Sequence, residues 1–456
     1  MNNAQKTAVS FAFIAGLLFW IGFAQSWSLA LGIFNLCLIS AVMALGVNMQ
    51  WGYAGLLNVG VMGFAALGGM SAVLVSQAPV SAAWEAGWAN LLVAAVMFTI
   101  TVVIATFCYR KMSPGRTRNI SLTLTIIIGL FITRYFFDPA VASIEAVDSA
   151  KTGFLGGMGL PIIFSWAIGG MVAAAIAWLI GKVALGLRAD YLAIATLGIS
   201  EIIIAVLKNE DWLTRGVKNV SGLERPVPYE INLQVSDWFI EIVSWWHRSS
   251  LSMLDQAARE EALRQFIIEG STIFVKLCYT GLFASVLLII LMLSVKALNS
   301  PWGRMMRAIR DNEIAAGAMG KDVVRRHLQI FIVGSAVVGI AGAMLTTLDG
   351  QFTPASYQPL RYTFLIWVMV IVGGSGNNMG SVLGGFLIWL VWIEAEPVGV
   401  WLVEMGTAWM DDGNFLKHHL IENAQHMRLF FMGLVLLLVL RFSPGGILPE
   451  VIRKRA

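Results

Sequence analysis

The sequence predicts an all-α, polytopic helical membrane protein with ten to twelve membrane segments, some of them broken or re-entrant. Three observations predict it. Of 456 residues, 58% are hydrophobic and only 13% are charged, and the mean hydropathy of +0.75 lies well above that of soluble domains. Apolar runs of near 20 residues, long enough to cross roughly 30 Å of hydrocarbon at about 1.5 Å per residue, recur from end to end. Finally, two pairs of apolar runs are interrupted by glycine clusters, the pattern of helices whose loosened backbone must be buried in protein or line a polar cavity.

In chain order, spans are expected near residues 8–26, 29–48, 60–76, 89–109, 119–137, 162–180, 190–207, 271–295, 328–348, 362–373, 380–395 and 427–441. The first follows Lys6 and resembles a secretion signal, but a second apolar run begins almost at once at Leu29, so a signal anchor kept as the first span is expected. The interrupted pairs are Trp51 to Ser76 and Arg361 to Ala395. Cys37, Cys108 and Cys278 fall inside apolar runs, and their odd number and wide spacing offer no disulfide or metal framework.

Lys and Arg in the loops set the expected orientation. Arg110, Lys111, Arg116 and Arg118 share one turn, Arg304, Arg307, Arg310, Lys321, Arg325 and Arg326 another, and Arg453, Lys454 and Arg455 close the chain. The positive-inside rule puts all three, and with them both termini, in the cytoplasm. On the other side the loop near Glu85 lacks Lys and Arg, and the stretch from Glu394 to His426 carries Glu394, Glu396, Glu404, Asp411, Asp412 and Glu422 against Lys417. The polar stretch 208–270 then becomes an external insertion. Trp238, Trp245, Trp246 and "LDQAAREEALRQFIIEG" suggest that it forms interfacial helices. The whole chain, 1–456, reads as one membrane domain, and its net charge of +4 gives no reason to expect nucleic-acid binding.

Several chemistries are missing. No G-x-x-x-x-G-K-[ST] occurs, nor H-E-x-x-H, nor G-x-S-x-G, so the chain lacks the scaffold of a P-loop ATPase, a metalloprotease or a common serine hydrolase. His419, Glu422 and His426 would share a helix face, but no further ligand or base accompanies them, and no metal is assigned.

Three elements are suggestive. "GYAGLLNVGVMGFAALGG" and "VGGSGNNMGSVLGG" are turns running into small-residue helices. In the second, Gly376, Gly380 and Gly384 recur every four residues, the spacing for close helix packing in lipid, whereas the asparagines suit either buried contacts or a polar route. In "LRADYLAIATLGISEII", Glu201 lies eleven residues past Asp190, about 16 Å along a helix and close to mid-membrane. A carboxylate there is expected to face the bundle interior in a satisfied contact, with Arg134 as a possible partner, or to serve transport. The candidates for a solute route are Tyr53, Gly55, Asn58, Gly60, Thr196, Glu201, Gly373, Gly374, Gly376 and Asn377. A separate stretch, "RAIRDNEIAAGAMGKDVVRR" within 296–327, is charged, helix-forming and expected in the cytoplasm. It suits either a basic loop that satisfies the positive-inside rule or a short helix laid in a partner's groove, with Ala315, Ala316 and Gly317 permitting close approach.

From Leu36 to Pro449 the chain resembles the permease subunits of bacterial branched-chain amino acid importers of the ATP-binding-cassette class, a family that also includes urea and amide permeases. The resemblance rests on the three stretches above, with Ser221-Gly222 following the Glu201 block, and on "PWGRMMRAIRDNEIAAGAMG", "AVVGIAGAML" and "RFSPGGILPE". Asn58 stands where relatives often carry serine, "GNNMG" is more polar than usual, and 208–270 is long. The resemblance implies a non-enzymatic subunit of the bacterial inner membrane. Its implied partners are a homologous permease, two cytoplasmic ATPases that bind ATP and Mg, and a periplasmic solute-binding protein. It also implies that Arg307, Arg310, Glu313, Ala315, Ala316, Gly317, Met319 and Gly320 form the ATPase-coupling loop. A branched-chain or related small amino acid is the implied cargo. A urea or amide permease, an ion-coupled transporter using Glu201, and an intramembrane enzyme using the His419 face are the alternatives.

Overall fold

The computed structural model describes residues 3–148, 152–410 and 415–450; Asp411, Asp412, Arg453, Lys454 and Arg455 lie outside them. The described residues are almost entirely helical. Helices α1 (Asn3–Ala24) and α2 (Trp27–Ala54) form a hairpin whose turn is fixed by Ser26, which accepts a hydrogen bond from the amide of Leu29. After an irregular stretch, 55–60, come α3 (Val61–Ser76), α4 (Ser81–Lys111), α5 (Arg116–Glu145), α6 (Phe164–Ala184) and α7 (Ala189–Asn209). Four short helices follow: α8 (Asp211–Thr214), α9 (Glu230–Val235), α10 (Asp237–Trp246) and α11 (Arg248–Leu251). Next are α12 (Gln256–Asn299), α13 (Pro301–Asp311), α14 (Glu313–Ala318) and α15 (Val323–Asp349). The chain continues through α16 (Pro359–Gly373), α17 (Asn378–Gly406), α18 (Phe415–Glu422) and α19 (Met427–Phe442). Strands β1 (Val220–Ser221) and β2 (Gln351–Phe352) pair antiparallel, tying the insertion to the loop after α15.

Among the described residues, nine helices are long and apolar enough to cross a membrane. Helices α3 and α16 are apolar but have only 16 and 15 residues. At about 1.5 Å per residue neither reaches across hydrocarbon, and the irregular stretches 55–60 and 374–377 supply the remaining depth. The interrupted pairs are thus helix, irregular segment and helix, as the glycine clusters predict.

Two boundaries differ from expectation. No break occurs near Gly270: α12 runs unbroken for 44 residues from the polar "QAAREEALRQF" into the apolar span, because nothing between them interrupts the backbone hydrogen bonds. Likewise α17 continues past residue 395, through Pro397, to Gly406. Glu394, Glu396 and Glu404 are therefore helical, with Glu396 paired to Arg428 and Glu394 accepting a hydrogen bond from Gln25.

Glycine sets the close packing of the core. A β-carbon at Gly68 would meet the backbone of Gly339, one at Gly342 the backbone of Ala65, and one at Gly169 the backbone of Gly68, so α3, α6 and α15 touch main chain to main chain. Helix α2 is similarly seated, with Gly46 against Gly334 of α15 and Ala41 against Gly385 of α17. Gly380 and Gly384 do pack α17 onto α16, at Gly373 and Met369. Gly376 lies outside the helix, in the turn, with φ +80°.

Candidate functional site

Four sequence blocks far apart in the chain meet at one end of the bundle: the end of α2, the turn between α16 and α17, α13, and the tail 443–450. Helix α2 stops because Gly55 adopts a left-handed conformation (φ +70°), and the chain then crosses 55–60 without regular structure. Several of its polar groups are satisfied by protein. The amide of Leu56 donates to the carbonyl of Gln50, that of Val59 to Thr196 Oγ1 at 3.0 Å, and that of Gly60 to Asn58 Oδ1 at 2.9 Å. Asn58 Nδ2 donates to Gln50 Oε1 at 2.9 Å, while Gln50 Nε2 reaches Phe331 O and Ser335 Oγ on α15. Such closure is what permits irregular backbone at membrane depth.

The second knuckle docks onto the first. Asn48 Oδ1 accepts from the amide of Gly376 at 2.8 Å, and its Nδ2 donates to Asn378 Oδ1 at 3.1 Å. Gly376 must be glycine on two counts: its positive φ, and a β-carbon there would meet the carboxylate of Glu450 and the guanidinium of Arg310. Asn377 caps α17 through the amide of Met379 and donates to the carbonyls of Leu448 and Pro449. The tail closes the arrangement, with Ile447 and Leu448 amides bonding to the carbonyls of Val372 and Gly373.

Arg310 joins all of this to the polar segment. Its Nη1 donates to the carbonyl of Gly52 and to Glu450 Oε2, 2.9 Å away, and its other nitrogens reach Asp311. Burial alone would lower its pKa; the hydrogen bonds and charges of Glu450 and Asp311 outweigh that and raise it, so the guanidinium is firmly charged. Arg307 stays local, donating to the carbonyl of Leu298. Helix α13 buries Gly303, Met306 and Ile309. Helix α14 does the opposite. Asn312 caps it through the amide of Ala315, none of its residues is buried, and Ile314 and the following Met319 are 86% and 80% exposed. Glu313, Ala315, Gly317 and Gly320 are exposed and Ala316 is partly so. A rigidly anchored lever, α13, thus carries a bare helical knob, α14.

The expected route residues separate into groups. Tyr53, Asn58, Gly60, Thr196, Gly373, Gly374 and Gly376 are buried in helix contacts, Asn377 is partly buried and Gly55 is exposed beside Arg310. Glu201 faces outward from α7, whose inward face is Leu192, Thr196, Ser200 and Ile204. It makes no hydrogen bond or ion pair among the described residues. Arg134 is not its partner, pairing instead with Asp138 one turn along α5. Nor do His419, Glu422 and His426 form one face: α18 ends at Glu422, His426 falls in a 3-10 turn, His418 pairs with Glu422, and His419 stacks on Phe415. Sequence reasoning missed Glu450, whose signal was a lone acid ending "SPGGILPE", and Asn48 and Gln50, amides inside an otherwise apolar span.

A family model described as the permease component of branched-chain amino acid transport systems matches residues 140–440. The high-affinity branched-chain amino acid transport system permease protein LivM of Escherichia coli (strain K12) is 29% identical over 223 residues, 48% of each chain. The probable branched-chain amino acid transport permease protein LivM of Methanocaldococcus jannaschii is 28% identical over 159 residues, 34% of this chain and 41% of that one. The xylose transport system permease protein XylH of Escherichia coli (strain K12) is 29% identical over 135 residues, 28% of this chain and 34% of that one. The chain spans about half the length, or less, of these curated relatives. No solved structure matches it.

Proposed function

This chain belongs to the family of branched-chain amino acid transport permease components, and from that premise we propose that it is the membrane-spanning subunit of an ATP-driven importer for branched-chain or related small amino acids. The observation that carries this reading is α14: six helical residues with nothing buried, exposing Ile314 beside Met319, on a segment locked to the bundle by Arg310. A short helix with an apolar tip and a flanking charge, Glu313, fits a groove on a cytoplasmic partner. Two ATPase subunits that bind ATP and Mg are the partners, and movement of α14 reaches the bundle through Arg310, Gly52 and Glu450. The basic residues around α13 favour a cytoplasmic position for this end and for the termini, in a bacterial inner membrane. The insertion 208–270 then faces the solute-binding protein.

Glu201 favours pairing with a homologous permease. A carboxylate near mid-span that points away from its own bundle is costly against lipid. Beside it on the exposed face are Ile194, Gly198 and Ala205, small enough in part for a second helix to approach and supply a donor. That arrangement disfavours an internal proton relay built on Glu201.

Uptake of leucine into vesicles holding this chain with its ATPase and permease partners should require ATP. Uptake driven by an ion gradient without the ATPases would refute the proposal, and preference for a urea, an amide or xylose would keep the class and change the cargo.

A further inference from the structure

A cavity of about 340 Å³ opens between α2, α15, α16 and the loop 351–357, at the end of the bundle opposite Arg310. It is lined along α2 from Leu36 to Met43 and along α16 from Tyr362 to Met369, a rise of seven residue steps on each, hence about 10 Å deep. Its floor includes Met62, which adjoins the irregular stretch 55–60. Its volume lies within the roughly 300–1,000 Å³ of small-molecule sites, and its walls are mostly apolar. None of the ten residues expected to line a solute route opens onto it.

Two charged side chains, one lining this cavity and one next to a lining residue, have no ion-pair partner among the described residues. Asp349, the last residue of α15, lines it, is exposed to it, and makes no hydrogen bond or ion pair among the described residues. The neighbouring hydroxyl of Tyr357 is already engaged with Thr346 Oγ1 at 2.9 Å. Arg361, not itself part of the lining, has no anionic partner among the described residues: its guanidinium lies 5.6 Å from the ring of Tyr362, a cavity residue, and 4.9 Å from that of Trp392. A free anion in an apolar pocket, with a free cation on the aromatic ring beside it, has the polarity of a small zwitterion with an apolar side chain.

We propose that this cavity is a solute site within the permease itself, in which Asp349 receives the α-ammonium group of a neutral apolar amino acid, its side chain rests on the walls around Met43 and Met369, and Arg361 attracts its carboxylate. The choice of an amino acid rests on the transport reading above; the pairing of a free carboxylate with an apolar cavity does not. The contact of Asp349 with the ammonium group is charge-assisted and loses most of its strength when either charge is removed, whereas Arg361 acts from outside the lining as a nearby positive charge. The site gives the subunit a selectivity of its own.

The test labels Ser356→Cys, an exposed cavity residue, with a polar maleimide in the full chain in nanodiscs, Cys108 and Cys278 having been replaced by alanine. Millimolar leucine is expected to slow labelling about tenfold, 3-methylbutylamine less, and 4-methylpentanoate or D-xylose not at all. Asp349→Asn should abolish protection by leucine while leaving the unliganded labelling rate unchanged, which reports an intact cavity. Arg361→Gln should weaken protection by leucine and leave protection by the amine unaltered. Equal protection in Asp349→Asn, protection by D-xylose, or no protection by leucine in the parent overturns the site. Because no ATPase is present, loss of ATP-driven uptake with protection intact would fall on the proposed function alone.

Discussion

Helix α2 and the α4–α5 hairpin are all apolar enough to span a membrane, yet occupy opposite structural roles. The most apolar windows of α2, α4 and α5 have mean hydropathies of 2.2, 2.6 and 1.8, yet 78% of the α2 window is buried inside the chain and only 6% of each of the other two. One difference is where their polar groups find partners. Asn35, Asn48 and Gln50 of α2 are fully buried amides that reach across to α12, α17 and α15. The hairpin's Thr99, Thr101, Thr106 and Thr133 return their hydroxyl protons to carbonyls four residues back in their own helices. A self-satisfied hydroxyl tolerates lipid, whereas an amide, with two donors and an acceptor, needs a neighbouring helix. In this pair, hydropathy tells that both enter the membrane, and the buried amides of α2 mark it as the one packed into the core.

The comparison can be broken by overfilling the core. Gly342→Leu pushes a side chain into the Ala65 backbone, and it is expected to cost more than about 3 kcal/mol and leave little folded chain on size exclusion in detergent. Ile128→Ala, on the exposed hairpin, should elute and melt like the parent; equal damage from both would erase the distinction. Asn48→Leu comes next. It leaves the Gly376 amide and Asn378 Oδ1 unpaired in the interior, an expected loss of about 2–4 kcal/mol, read as a lowered melting temperature.

Arg310→Gln should be milder for stability, about 1–2 kcal/mol from the lost contacts with Glu450 and Gly52. Its larger effect is expected on coupling: insertion persists while solute-stimulated ATP hydrolysis by the assembled transporter falls to its basal rate. Unchanged stimulation would remove Arg310 from the lever. The smallest effect is expected from excising the hairpin. The amide of Val80 bonds to the carbonyl of Leu155 at 3.1 Å, so the entry and exit of the hairpin already touch. Replacing residues 81–152 by a short Gly-Ser linker should shift the melting temperature by no more than about 3 °C. Collapse of that variant would show that the hairpin supports the core after all.

Much of this was legible in the residues. Each of the twelve apolar runs is a helix, the glycine clusters mark the interruptions at 55–60 and 374–377, and the charged stretch at Arg307 to Arg326 is two short helices and the start of a third. The site was legible in its parts but not in its assembly. Arg310 and Gly376 stand out in the sequence for separate reasons, one as a coupling residue and the other as a turn, and nothing in either stretch says that they touch. Glu201 misled, because depth along a helix can be counted from sequence but the direction it faces depends on which neighbours the helix has.

The sequence by itself determined the class and the elements. Hydrocarbon thickness fixes the length of a span and its solvent forbids unpaired backbone, so apolar run length and glycine interruptions translate directly into helices and breaks. Only the tertiary structure decided which helices are sealed, that Glu450 closes on Arg310 across 140 positions, and that Asp349 is left beside a cavity without a partner among the described residues. Those outcomes depend on main chains meeting at glycines from distant segments, as at Gly68 with Gly339, and lipid, being as apolar as the helices, gives no hydrophobic preference that would reveal such pairings from one strand of sequence.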